Sequence, residues 1–202
     1  MDVASRQLRC GRCLRHPPRF DAAYCPFLYD YPLDHLIRGL KYHGRVAQGR
    51  LLGNLLAREI GSQRTAPLPQ LLIPVPLAQR RFRQRGYNQA IELGRCIERQ
   101  LGIPMRADVM ERTRETLEQA GLARGARRRN IKNAFALLRL PSVPHVAIVD
   151  DVVTTGSTVN EMSRVLKRVG VERIEVWAVA RAAHAGLNTN SSAMPMKTAM
   201  PK

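Results

Sequence analysis

The chain alternates between two kinds of hydrophobic period. Leu33, Leu36, Ile37 and Leu40 recur at three- and four-residue spacing, which predicts a helix interrupted at Gly39 and ending near Gly44. Leu51, Leu52, Leu55, Leu56 and Ile60 predict a second helix from about Val46 to Ile60. Gly61 to Gln70 contains two prolines and reads as a linker. Leu71-Leu72-Ile73-Pro74-Val75-Pro76 is a short apolar run cut by prolines, the pattern of a buried strand entering a constrained loop. Helical spacing returns from Tyr87 to Leu101 through Ile91, Leu93 and Ile97. Val146 to Val149 reads as a strand buried on both faces, Val159 to Val169 as a helix ended by Gly170, and Ile174 to Ala180 as another apolar strand. Strands alternating with helices predict an α/β fold built on a mainly parallel sheet.

Three stretches carry no such pattern. The first 28 residues hold three of the four cysteines and five arginines, and read as a small irregular appendage. Residues 111–130 are polar and Arg-rich, with Gly121 and Gly125, and read as a mobile loop. Residues 184–202 are polar and patternless and read as a disordered tail. The main domain is thereby expected over residues 29–183.

A chain of 202 residues suffices for one such domain plus an appendage. Its charge is unusual. Thirty-three basic residues stand against 16 acidic ones, a formal +17, and 28 of the 33 are Arg. Arg suits planar, bidentate recognition of phosphate. A coding bias would account for the Arg-to-Lys ratio but not for the net excess. No run of about 18 apolar residues is present, so no membrane span is expected. Met1 to Phe20 has no apolar core of a secretory signal. Four cysteines are too few for a disulfide scaffold, so a reducing, cytoplasmic setting is expected. Cys96 falls on an apolar helix face and reads as core.

The segment richest in chemistry runs from Val146 through Val149 into Asp150-Asp151-Val152-Val153-Thr154-Thr155-Gly156-Ser157-Thr158. An apolar strand delivers two carboxylates to its C-terminal end, where open α/β sheets place ligands. A short loop of small hydroxyl residues around one glycine then opens a helix. Backbone N–H groups of Thr155 to Thr158 can converge on a phosphate, with Thr154, Thr155, Ser157 and Thr158 hydroxyls adding donors. The carboxylates would repel that phosphate; they suit a neighbouring polyol or a hydrated Mg²⁺. A ribose 5-phosphate satisfies both halves.

These 13 residues resemble the phosphoribosyl-diphosphate (PRPP) binding motif of type I phosphoribosyltransferases, with only Ala147 slightly off pattern. Further segments resemble the competence protein ComF family. They are Ile73-Pro74-Val75-Pro76-Leu77 followed by Arg80, Arg81, Arg85, Gly86, Tyr87, Asn88 and Gln89; Arg112-Thr113, Gln119, Gly121-Leu122, Arg127, Asn130 and Phe135; and Tyr29 to Leu33 with Ile37, Leu40, Lys41-Tyr42 and Gly44. The resemblance spans roughly residues 8–182. It implies a type I phosphoribosyltransferase fold with a flexible hood over residues 111–130, whose Arg112, Thr113 and Gln119 also resemble the hood of amidophosphoribosyltransferases. Val75, Pro76 and Leu77 would form the diphosphate loop. Arg80 or Arg81, with Arg112, would contact the diphosphate. Asp150 and Asp151 would hold the ribose hydroxyls and favour positive charge on the ring. Mg²⁺ would help neutralise the leaving group.

Cys10 and Cys13 have the spacing of half a zinc ribbon. The family typically opens with two such pairs, so this half would be the remnant of a zinc-binding appendage over residues 1–28. Two functional readings stay open. One is a phosphoribosyltransferase acting on an unidentified acceptor. The other is a non-catalytic module that senses PRPP and binds single-stranded DNA through its Arg clusters. The resemblance implies a role in DNA uptake, with a competence helicase and recombination-mediator proteins as expected partners.

Overall fold

The computed structural model describes residues 11–63, 66–114 and 131–182. Its main sheet is parallel throughout and has β3 (Leu71–Pro74) at one side, then β6 (His145–Val153), then β7 (Arg173–Arg181). β1 (Ala22–Tyr24) and β2 (Phe27–Leu28) pair one after the other along the free edge of β7. Beyond β3 the sheet continues briefly: Leu72 N–H donates to the Pro104 carbonyl at 2.9 Å, and Arg106 N–H to the Leu72 carbonyl at 3.0 Å. A separate antiparallel pair is formed by β4 (Met110–Arg112) and β5 (Phe135–Leu137).

Both faces of the sheet are covered, as the continuous apolar runs of its strands require. Alternate residues feed opposite layers. Leu72, Ala147, Val149, Trp177 and Val179 point into one core with α2 (Leu33–Tyr42), α3 (Val46–Gln63) and α5 (Gln89–Leu101). Leu71, Ile73, Val146, Ile148, Val176 and Ala178 point into the other, against Val159, Met162 and Leu166 of α6 (Ser157–Arg168). α3 and α5 touch closely at Gly53, where a Cβ would stand 2.8 Å from the Cys96 Cβ. Cys96 itself is buried in that contact, as its place on an apolar face predicts.

Three expectations are revised. The stretch read as an irregular appendage holds a short helix, α1 (Gly11–Arg15), and then the edge strands β1 and β2. Three-residue and two-residue strands are too short to show a period, and their pairing with β7 is a tertiary effect. β6 is longer than its apolar core suggests and carries Asp150 and Asp151 within it. α4 (Gln79–Arg85), with four arginines in seven residues and none of its residues buried, has no apolar stripe that would announce a helix. The tail over residues 184–202, the N-terminal ten residues and most of the hood lie outside the described residues.

Candidate functional site

The site lies at the C-terminal end of the parallel sheet. β6 brings Asp150 half-buried and Asp151 buried to that end. Asp150 Oδ1 accepts the Asp151 backbone N–H at 2.9 Å. Asp151 Oδ1 is paired with Lys41 Nζ at 2.9 Å, reaching over from the last turn of α2. The other oxygen, Asp151 Oδ2, is buried without a hydrogen-bond partner among the described residues. A buried carboxylate oxygen left unpaired is costly unless a ligand completes it.

The electrostatics follow from this crowding. Burial, and then the charge of Asp151, push the Asp150 carboxyl up to about 7, although Lys41 and Arg112 pull the other way. Burial works against the Lys41 ammonium, but the carboxylates of Asp151 and Asp150 outweigh it and hold its pKa above the ordinary value. Near neutrality Asp150 thus holds its proton about half the time, and a hydrogen-bond donor or a hydrated cation placed beside it would favour its charged form.

After β6 the chain turns through Thr154 and Thr155 to Gly156, whose φ of 74° puts it in the left-handed region that suits glycine. Gly156 caps α6. Thr155 Oγ1 and Ser157 Oγ share a hydrogen bond at 2.9 Å, and Ser157 N–H donates to Thr155 Oγ1 at 3.3 Å. The loop is therefore closed on itself by hydroxyls, with the N-terminus of a 12-residue helix behind it. Thr154, Thr155, Gly156, Ser157 and Thr158 are brought together here as the sequence predicts.

The loop following β3 stands beside this one. Val75 N–H donates to the Val149 carbonyl at 2.9 Å, so Val75 extends the pairing of β3 with β6. Asn88 Nδ2 donates to the Val75 carbonyl at 3.0 Å, while Asn88 Oδ1 accepts the Ala90 N–H at the start of α5. One buried side chain thus fixes both the loop and the helix after it. Pro76 and Leu77 are half-buried; Arg80 is exposed and Arg81 half-buried on α4. The two arginines point from α4 rather than from the loop itself.

Of residues 111–130, expected as a hood, only 111–114 are among the described residues. β4 and β5 pair on either side of the undescribed residues, and Thr113 N–H donates to the Ala134 carbonyl at 3.0 Å. The Arg112 guanidinium lies over the Phe135 ring at 5.6 Å and is near enough to lower Asp150. Past the loop, Asn133 takes a positive φ of 57°, and its N–H donates to Glu161 of α6 at 2.7 Å. Gln119 lies outside the described residues, as does Cys10. Cys13 is half-buried on α1. Cys25 packs against the core, its thiol pushed up to about 11 chiefly by burial. Among the described residues no three His, Cys, Asp or Glu side chains gather as a metal site.

Two residues matter here beyond the motif. Lys41 and Asn88 entered the sequence reading only as matches to a family pattern. Lys41 carried a signal of its own: it is one of five lysines in a chain whose other 28 cations are Arg. Lys is the compact cation that pairs readily when buried.

Comparison with known proteins gives three findings. Residues 90–198 match the family model described as the phosphoribosyl transferase domain. Competence protein F of Haemophilus influenzae is 41% identical over 179 residues, covering 86% of this chain and 78% of that one. The DNA utilization protein YhgH of Escherichia coli K12 is 40% identical over 177 residues, with the same coverage. Among solved structures, the chain aligns with glutamine PRPP amidotransferase from B. subtilis at a TM-score of 0.43 and 18% identity, over 65% of this chain and 26% of that one.

Proposed function

This chain belongs to the competence protein F family and carries a phosphoribosyl transferase domain on a type I, mainly parallel sheet, and we propose that it binds PRPP and transfers its phosphoribosyl group to an acceptor. The observation that carries the reading is the buried Asp151 Oδ2, unpartnered beside Asp150 and one short loop away from a glycine-turned, hydroxyl-lined helix start. Polyol acceptor sites and a phosphate cradle stand side by side, as a ribose 5-phosphate needs.

Each residue then has a task. Backbone N–H groups and hydroxyls from Thr154 to Thr158 hold the 5-phosphate. Asp150 and Asp151 accept from the ribose hydroxyls and keep negative charge beside a ring that becomes cationic as diphosphate leaves. Ligand binding ionises Asp150, whose proton is loosely held near neutrality. Val75 to Leu77 present backbone to the diphosphate, and Arg80, Arg81 and Arg112 supply positive charge around it. Mg²⁺ fits the same carboxylate pair and, when bound, supplies neutralising charge for the diphosphate.

The names of the two relatives attach them to competence and DNA utilization, which supports placing this activity in the handling of incoming DNA. Transfer and mere sensing are separated by measuring diphosphate release from PRPP across a panel of nucleobases and amines. Release with at least one acceptor supports transfer. Tight PRPP binding with no release across the panel makes the protein a sensor and overturns transfer.

A further inference from the structure

Between β3 and α5 the chain makes one excursion from the sheet. It leaves at Val75, turns through Pro76 and Leu77, runs along α4 with Arg80 and Arg81, and reverses at Gly86, whose φ is 77°. No residue of α4 is buried, so packing does little to fix where its arginines stand. The excursion is closed at its base instead. Asn88 Nδ2 donates to the Val75 carbonyl at 3.0 Å across 13 residues. Asn88 is 7% exposed, so water scarcely competes for that bond. Next to it Gln89, also buried, accepts from Arg85 Nη1 at 3.1 Å.

The Asn88 bond also settles the shape of the loop. Val75 N–H is taken by the Val149 carbonyl and the Val75 carbonyl by Asn88. A residue before proline is confined to extended backbone, and the Pro76 ring fixes the next φ. Pro76 has no N–H, so the first backbone donor past the sheet belongs to Leu77. Without Asn88 the Val75 carbonyl would lose its donor, and the loop would shift to find another. We infer that Asn88 is a positioning residue for the leaving diphosphate: by clasping the Val75 carbonyl it holds the Leu77 N–H and the α4 arginines in place before ligand arrives, leaving little ordering to the binding step. The inference rests on the PRPP reading and gives Asn88 no contact with ligand. Its two jobs are separable, because Asn88 Oδ1 caps α5 independently, accepting the Ala90 N–H at 2.9 Å.

Asp and Ser cap helices about as well as Asn. An ionised Asp has no proton to give Val75, and the shorter Ser cannot serve the cap and Val75 at once. The test is titration calorimetry on the full chain with Mg²⁺ and three probes: PRPP, inorganic diphosphate and ribose 5-phosphate. Asn88→Asp and Asn88→Ser should each bind PRPP and diphosphate about tenfold more weakly. Both should bind ribose 5-phosphate as wild type does, since the carboxylates and the hydroxyl loop are untouched. Unchanged PRPP affinity in both variants would overturn the proposal. Equal loss for all three probes would also overturn it, by reducing Asn88 to a structural cap. So would a loss in Asn88→Asp that the neutral Asn88→Ser does not share, which marks repulsion by the new charge. Wild type that binds none of the probes overturns the PRPP reading itself and this proposal with it; the other results leave that reading standing.

Discussion

Asp150 is a group whose ligand-binding form costs the empty protein stability. Its carboxyl has a pKa of about 7 in the folded chain against 3.8 ordinarily, because burial and Asp151 disfavour its charge. Ionisation therefore favours the unfolded chain. The penalty is absent below about pH 4, grows between about pH 4 and 7, and stays level above that. Its ceiling is about 4 kcal/mol, from about 1.4 kcal/mol for each pH unit between the two values. Asp150 is only half-buried, and sites near a protein surface respond with an effective dielectric of about 20, so roughly 1–2 kcal/mol is expected. Asp150→Asn removes the charge and keeps the oxygen that accepts the Asp151 N–H. Urea unfolding of both proteins from pH 4.5 to 8 should show the variant more stable at pH 8 by that amount, a rise of about 3–6 °C in thermal midpoint. The gap should narrow steadily as pH falls below 7. A variant less stable than wild type at pH 8, or a gap independent of pH, would refute the reasoning.

Removing Lys41 leaves Asp151 as an uncompensated buried charge, so Lys41→Met should cost about 3–5 kcal/mol in urea unfolding, and Lys41→Met/Asp151→Asn should recover most of it. Gly156→Ala places a Cβ at φ 74° and should cost about 1–2 kcal/mol while weakening PRPP binding, read by unfolding and calorimetry on the same sample. At the far end of the sheet, buried Glu175 accepts from Trp177 Nε1 at 2.9 Å and Arg173 Nε at 3.2 Å, and lies 3.0 Å from His145 Nε2. Glu175→Ala removes these three contacts from the buried end of the sheet and should destabilise by about 2–4 kcal/mol without altering ligand affinity.

The sequence carried the site better than it carried the frame around it. Val146 to Thr158 is local: strand, carboxylates, glycine turn and helix start follow one another within 13 residues, so their geometry is fixed by neighbours in the chain. The helices α2, α3 and α5 were equally legible because each repeats an apolar stripe. β1, β2, β4 and β5, of two or three residues each, exist only through pairing with distant segments. α4 has a single apolar residue, Phe82, and so gives no period. Lys41 lies 110 residues before the carboxylate it pairs with, a contact made by α2 crossing the end of the sheet. Spacing along the chain contains no trace of it.

The central claim is that Asp150 and Asp151 hold the ribose of PRPP. Titration calorimetry of PRPP with Mg²⁺ into wild type and Asp150→Asn tests it most directly, since the variant is expected to fold at least as well as wild type. A charge-assisted hydrogen bond to a sugar hydroxyl is worth about 1.5–3 kcal/mol, so the variant should bind roughly ten- to a hundredfold more weakly. Equal affinity in the two proteins, or no heat from wild type, would contradict the account.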